Sequence, residues 1–212
     1  KTRNNRIPED TTGRAHWTLA MPLGIRFITP VTKPETTGYL KTLLEGHTGR
    51  MKSHDFDVRC IHVDPQKSIA ALDGKIDCTM DISGARQHVS IIERSIRTVK
   101  ERMRSIENGL YFKCPRRFIK GLGYSAVEHI NMFPRSDQKD EVSPRELFTG
   151  IKLDYNRDVR NLAFGSYVQA HEDFDNNTNL PRERTRGCIA LYPKCNSAGS
   201  WKFYSLKTNL EI

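Results

Sequence analysis

The sequence predicts a mixed α/β fold, a sheet flanked by helices and followed by a small β-rich C-terminal module. Three observations predict it. Two short apolar runs, His16–Met21 and Ile25–Val31, are separated only by Pro22–Gly24, which reads as an antiparallel hairpin. Strands and helices then alternate, the pattern that implies a sheet covered by helices. From Phe164 onward, short strand-like runs are separated by Asn, Pro, Gly and Ser clusters, with no helical period.

The elements come in this order. Residues 1–15 are polar and lack periodicity, so they read as a tail. Glu35–His47 reads as a helix with Tyr39, Leu40, Leu43 and Leu44 inward, ended by the Gly-rich segment GHTGR. Val58–Val63 is the clearest strand, an apolar run that stops at Asp64-Pro65. Ser68–Leu72 predicts a single helical turn and Ile76–Met80 a short strand. Arg117–Phe133 continues helical. Ser143-Pro144-Arg145-Glu146 carries the signature of a capped helix start, with Ser as N-cap, Pro at the first position and Glu three residues on. Gly165–Ala170, Cys188–Leu191 and Trp201–Leu206 are the strand candidates of the last module.

Between these lies Gln87–Leu110, one long amphipathic helix. Val89, Ile92, Ile96, Val99, Met103, Ile106 and Leu110 recur at steps of three and four and share one stripe. Glu93, Arg97, Lys100 and Arg104 follow the same steps one residue later and share the neighbouring face. A carboxylate leading a row of cations suits a metal-dependent enzyme acting on a phosphate backbone, the carboxylate for the metal and the cations for the polyanion. It equally suits a solvated helix face, because Glu followed by Arg four residues later stabilises any helix.

Composition narrows the partners. The 212-residue chain carries a formal net charge of +9, and the excess is local. Between Arg86 and Lys120 there are ten Lys and Arg against three Glu, so the basicity is a patch, the footprint of a nucleic-acid binder, an acidic partner or an anionic lipid. Five cysteines at unrelated spacings form no CxxC pair and no zinc-finger pattern with the histidines, which suggests reduced thiols in an intracellular protein. No apolar run approaches the roughly 20 residues that span a bilayer, so no membrane partner is expected. The chain starts at Lys1 without a Met and reads as a piece of something longer. Trp17 and Trp201 read as core aromatics, and His62 and His88 as structural or loop residues. Arg116-Arg117 reads as a phosphate contact or as a solvated helix start. Asp73, Asp77 and Asp81 are spaced by four, but the strand expected between them breaks helical register.

Two segments together carry a resemblance. Gln87-His88-Val89 followed by Glu93-Arg94-Ser95-Ile96-Arg97-Thr98-Val99-Lys100 resembles the catalytic-core helix of retroelement integrases. Ser143-Pro144-Arg145-Glu146-Leu147-Phe148-Thr149-Gly150 resembles the S/T-P-x-E-L-x-x-G segment of copia-type retrotransposon integrases. Phe164–Val168 and the closing strands are similar to the next segment of those integrases. The likeness runs over residues 24–212 in matching order. It implies a ribonuclease H-like core that transfers DNA strands, with Asp64 and Glu93 as catalytic residues and ligands of Mg²⁺ or Mn²⁺. It implies Arg94, Arg97, Lys100 and Arg104 as DNA-binding residues, retroelement ends and target DNA as partners, and action in the nucleus as part of a Pol polyprotein. A homo-oligomer is compatible with it. The implied division is 1–15 polar tail or eroded first strand, 16–134 core, 135–163 linker and short helix, and 164–212 β-rich module.

The chain departs from the family in three places. Pro65-Gln66-Lys67-Ser68 follow Asp64 where the family has small flexible residues and then Glu-Phe. The family's first Asp has only Glu9 and Asp10 as counterparts upstream of Ile25. The N-terminal His/Cys zinc module is absent from the sequence. Two other readings therefore stand beside the active integrase: a catalytically inactive DNA-binding remnant, and a nuclease of the same fold. On the active reading, Asp64 and Glu93 should face one another across a single metal ion.

Overall fold

A computed structural model describes residues 15–31, 36–63, 67–82, 90–135, 141–158, 162–171, 184–194, 196 and 199–212. In chain order the elements are β1 (Ala15–Ala20), β2 (Ile25–Pro30), α1 (Thr37–Lys52), β3 (Cys60–Val63), α2 (Lys67–Ala70), β4 (Thr79–Ile82), α3 (Ser90–Asn108), α4 (Ile119–Met132), α5 (Pro144–Thr149), α6 (Tyr155–Asp158), β5 (Tyr167–His171), β6 (Thr185–Pro193) and β7 (Trp201–Ser205). The fold is mixed α/β. Among the described residues the strands form three sheets: antiparallel β1-β2, parallel β3-β4, and antiparallel β5-β6-β7.

The hairpin forms where the sequence places it, with Ala15 opposite Pro30 and Ala20 opposite Ile25. Gly24 closes its turn at φ +73°, a left-handed conformation that a side chain resists. The face of β2 bearing Ile25 and Phe27 is buried against Met51 and Phe148.

The outer edge of β2 is closed by a side chain. Asn131, on α4 and only 2% exposed, accepts a hydrogen bond from the Arg26 amide through Oδ1 and donates Nδ2 to the Arg26 carbonyl, both at 2.9 Å. The amide group thus sits where a further strand would pair. This is one physical reason the single mixed sheet expected from sequence is divided among the described strands. The Arg26 guanidinium reaches on to α3, donating Nε to Ser95 Oγ at 2.9 Å, and also to the Gly24 carbonyl at 3.1 Å.

The sequence predicts that α1 ends at its Gly-rich segment, but the helix runs through it to Lys52. Two interior glycines cost about 1 kcal/mol each relative to Ala. Tertiary contacts offset that cost. Met51 is buried with Ile25, Phe27 and Phe148. The Arg50 guanidinium lies 4.9 Å from the centre of the Phe27 ring. His47 bonds Thr18 Oγ1 through Nδ1 at 2.9 Å and Thr29 Oγ1 through Nε2 at 3.0 Å, tying α1 to both strands of the hairpin.

Strand β3 begins two residues later than the sequence suggests, because Val58 packs with Phe56 beside Phe27 and Phe148 rather than in the strand. The expected strand Ile76–Met80 is displaced to Thr79–Ile82. Gly74 at φ +71° and the bonds Lys75 N–H to Leu72 and Cys78 N–H to Ile76 make the start of that run a turn. Ile76 still packs beside buried Leu40, Leu72 and Met80, so its apolar character serves a turn under α1.

Helix α4 is the common partner of both halves. Gly121 brings it onto Leu191 of β6, where an added Cβ would lie 3.2 Å from the Leu191 Cβ, and Gly123 brings it onto β2, where an added Cβ would lie 2.8 Å from the Ile28 side chain. Leu122 joins Phe118, Phe164, Leu191 and Tyr204 in one cluster, while Ala126 and Val127 join Val99 of α3 in another. Met103 and Ile106 of α3 pack against both. Helix α5 is capped as the sequence predicts. The Ser143 hydroxyl accepts from the Glu146 amide at 3.1 Å, and the Glu146 carboxylate accepts from the Ser143 amide at 3.0 Å and the Leu153 amide at 2.8 Å. Burial works against the Glu146 charge, but these hydrogen bonds outweigh it and hold the carboxyl below its usual range.

Two stability measurements check this architecture. Asn131→Ala removes two hydrogen bonds on the half-buried Arg26 backbone and is expected to cost about 1–3 kcal/mol, at roughly 0.5–1.5 per bond. Urea unfolding should show a lower midpoint at an unchanged slope, and a midpoint shift near zero would contradict the edge-closing role.

The second concerns His47, whose pKa is pushed down to about 4 by burial, with Arg50 and His16 adding to the effect. The unfolded chain takes up this proton as pH falls through about 6.5, while the folded protein resists until about 4. Stability held by neutral His47 is therefore complete above pH 6.5 and is lost as pH falls toward 4, by about 2–3 kcal/mol. His129 is lowered too, by burial and by Arg102, and adds slope of the same sign. His47→Gln should flatten, without abolishing, the loss of melting temperature across that window; an unchanged profile would contradict the assignment.

Candidate nucleic-acid interface

Helix α3 realises the amphipathic pattern as two opposed faces. Val99 is 1% exposed and packs against Ala126 and Val127, and Met103 and Ile106 complete the buried stripe. Burying such apolar side chains stabilises by about 1.5–3 kcal/mol each. Beside this stripe, Ser95 is 7% exposed and receives the Arg26 guanidinium. With the apolar face fixed on α4 and β1, helical geometry turns the residues one position further on toward solvent. Arg94, Arg97, Lys100 and Arg104 are all exposed there, together with Glu93 and Glu101.

The cationic surface continues past the helix. Leu110 and Cys114 pack onto the cluster of Phe118, Leu122, Phe164, Leu191 and Tyr204, and Lys113 and Arg116 between and beside them are exposed. Arg117 is exposed as well, but its head group is engaged by a neighbour. Its guanidinium lies 5.5 Å from the centre of the Tyr204 ring and donates a hydrogen bond to the Tyr204 hydroxyl, which itself bonds Asn209 Oδ1 at 3.0 Å. Of the Arg116-Arg117 pair, Arg117 thus locks the short 3-10 turn Arg116–Phe118 to β7, and Arg116 faces solvent. Burial raises the Cys114 thiol to about 11, so it packs as a neutral group.

Glu93 lies exposed in the first turn of α3. Asp64, expected opposite it, lies outside the described residues, as do Asp10, His88, Val89 and Cys195. At the ends of β3 and β4, His62 and Asp81 stand opposite one another in parallel register, with His62 Nδ1 2.7 Å from Asp81 Oδ2 and both side chains mostly exposed. Among the described residues, no group of three or more His, Cys, Asp and Glu gathers to hold a metal ion. Of the ligand pair that the resemblance implies, the described residues include Glu93 alone.

The cations of α3 are visible in the sequence, and the groups that aim them are not. Arg26 and Ser95 are 69 residues apart, and Arg26 and Asn131 are 105 apart, so no local pattern could pair them. Among the described residues no helix is long and apolar enough to cross a membrane.

No family model matches the chain, and no curated protein matches it. Among solved structures, it is similar to the catalytic core domain of BIV integrase at 14% identity, over 64% of this chain and 91% of that one, with a TM-score of 0.45. It is also similar to a chain of the simian T-cell lymphotropic virus intasome in complex with PP2A regulatory subunit B56 gamma, at 11% identity, over 94% of this chain and 70% of that one, with a TM-score of 0.45.

Proposed function

We propose that this protein is an integrase-like DNA-binding protein of the copia retrotransposon type, acting on retroelement ends and target DNA. One observation carries the reading: the exposed face of α3 presents Arg94, Arg97, Lys100 and Arg104 from a helix whose opposite face is fixed in the core. Cations at one-turn intervals lie about 5–6 Å apart along a helix, a spacing comparable to that of successive phosphates on a strand. A rigid helix presents them with little ordering cost on binding. Contacts of this kind supply affinity without reading sequence, which suits a protein that must engage many targets.

Strand transfer belongs to the same proposal. Asp64 and Glu93 are the chain's candidates for holding Mg²⁺ or Mn²⁺, which when bound would polarise the phosphate and activate the attacking oxygen. Two carboxylates alone hold Mg²⁺ weakly, and Pro65 fixes the backbone beside Asp64.

Two measurements test it. Arg97→Ala and Lys100→Ala should each weaken binding to unrelated duplexes by similar factors and reduce the salt slope by about 0.9 for each phosphate no longer neutralised. Melting temperature should hold, since both side chains are exposed and Ala is a strong helix former. Unchanged affinity and slope in both variants would overturn the reading. Separately, millimolar Mg²⁺ or Mn²⁺ should leave the melting temperature nearly unchanged. A rise of several degrees that Glu93→Gln abolishes would instead establish a resident metal and a complete catalytic centre.

A further inference from the structure

Three residues past the end of α3, Tyr111 is fully exposed, at 106% relative accessibility, between half-buried Leu110 and Phe112, which is 39% exposed. Leu110 packs onto the cluster of Phe118, Leu122, Phe164, Leu191 and Tyr204, and Cys114 does the same from the other side. Gly165, at φ +84°, makes room for this segment: a Cβ there would lie 2.4 Å from the Leu110 side chain and 3.5 Å from the Phe112 ring. Leu110 and Phe112 thus lean on one glycine, and the residue between them is projected away from the core.

An exposed aromatic in such a place calls for a partner. A tyrosine carries a large apolar ring, and leaving it wholly in water forfeits the stabilisation its burial would bring. The exposed charged residues next to it in the chain are Arg104, Glu107, Lys113 and Arg116, three cations and one carboxylate. Arg104 precedes it on the exposed face of α3, and Lys113 and Arg116 come after it, all of them exposed. A ring set among cations on an anchored loop matches the chemistry that binds single-stranded nucleic acid, in which cations track the backbone and aromatic faces stack on bases.

We propose that Tyr111 is a stacking platform for an unpaired base of DNA, placed where the cationic track of α3 ends. The proposal rests on the reading of α3 as a DNA-binding face and adds to it a preference for single-stranded or frayed DNA. A duplex keeps its bases stacked on one another and offers this ring only the outer face of a terminal pair. Two features prepare the platform: the loop is tethered at Leu110 and Cys114, and Tyr has only two side-chain torsions to fix on binding.

The test compares a short oligothymidine with a blunt-ended duplex, each titrated against the full chain and against Tyr111→Ala and Tyr111→Phe. Tyr111→Ala should weaken oligothymidine binding roughly 5- to 150-fold, the range for losing one stacked base. Its salt slope should match the unmutated protein, because no charge is removed. Duplex affinity should change little, and Tyr111→Phe, which keeps the ring, should bind oligothymidine almost as well as Tyr. If Tyr111→Ala binds oligothymidine normally while Arg97→Ala and Lys100→Ala still weaken duplex binding, the platform is overturned and the α3 reading survives. If the unmutated protein binds neither DNA, both fall. If Tyr111→Ala lowers the oligomeric mass in sedimentation and leaves DNA affinity unchanged, the ring is a self-association contact, and the platform is likewise overturned.

Discussion

The pairing of Asn131 with both backbone polar groups of Arg26 is the constraint on which the arrangement turns. A strand edge presents unmet donors and acceptors, and burying one without partners costs about 1–3 kcal/mol per group. One carboxamide meets both demands because its Oδ1 and one Nδ2–H lie on the same side and face the N–H and C=O of a single residue. The bond also joins α4 to β2, and Arg26 in turn reaches Ser95 on α3. Three elements remote in sequence are thereby placed in register by one hydrogen-bonded chain, and apolar packing of Val99, Ala126 and Val127 consolidates it. The apolar stripe sets the rotation of α3, because turning it by one residue would bury Arg97 and Lys100, and the Arg26–Ser95 bond adds a directional contact. That rotation points Arg97, Lys100 and Arg104 outward.

Burial and charge therefore act together. On α3 the apolar stripe meets α4, and α4 meets β2 through Gly123 and β6 through Gly121. The glycines are where the sequence accepts lower helix propensity for close approach. The basic side chains stay hydrated on the opposite face, where isolated ion pairs are worth little and the summed potential matters more. A core-facing apolar side and a solvated cationic side are separated on one helix, so the cations can be altered with little effect on the core.

What was legible in the sequence was local. The hairpin, the capping box at Ser143 and Glu146, and the two faces of α3 each rest on residues within one or two turns of one another, and each is present in the structure. What was not legible depends on distant partners. Helix α1 runs through Gly46 and Gly49 because Met51, His47 and Arg50 find partners on β1, β2 and α5. Ile76 looks like a strand residue and packs instead as part of a turn. Tyr111 shows no sequence signal as a platform; only the anchoring of Leu110, Phe112 and Cys114 around it reveals the projection. For the candidate metal site the limit is different, since Glu93 is placed and Asp64 lies outside the described residues.

The central claim is that the outward face of α3 is the DNA surface. Nuclear magnetic resonance of the arginine side-chain Nε–H groups tests it most directly, with duplex DNA titrated into the full chain at moderate salt. Shifts are expected at Arg94, Arg97 and Arg104 that reverse as salt is raised, while Arg26, held within the protein by Ser95, stays in place. Shifts confined to Arg50 and Arg145 on the α1 and α5 side, with the α3 arginines unmoved, would contradict it.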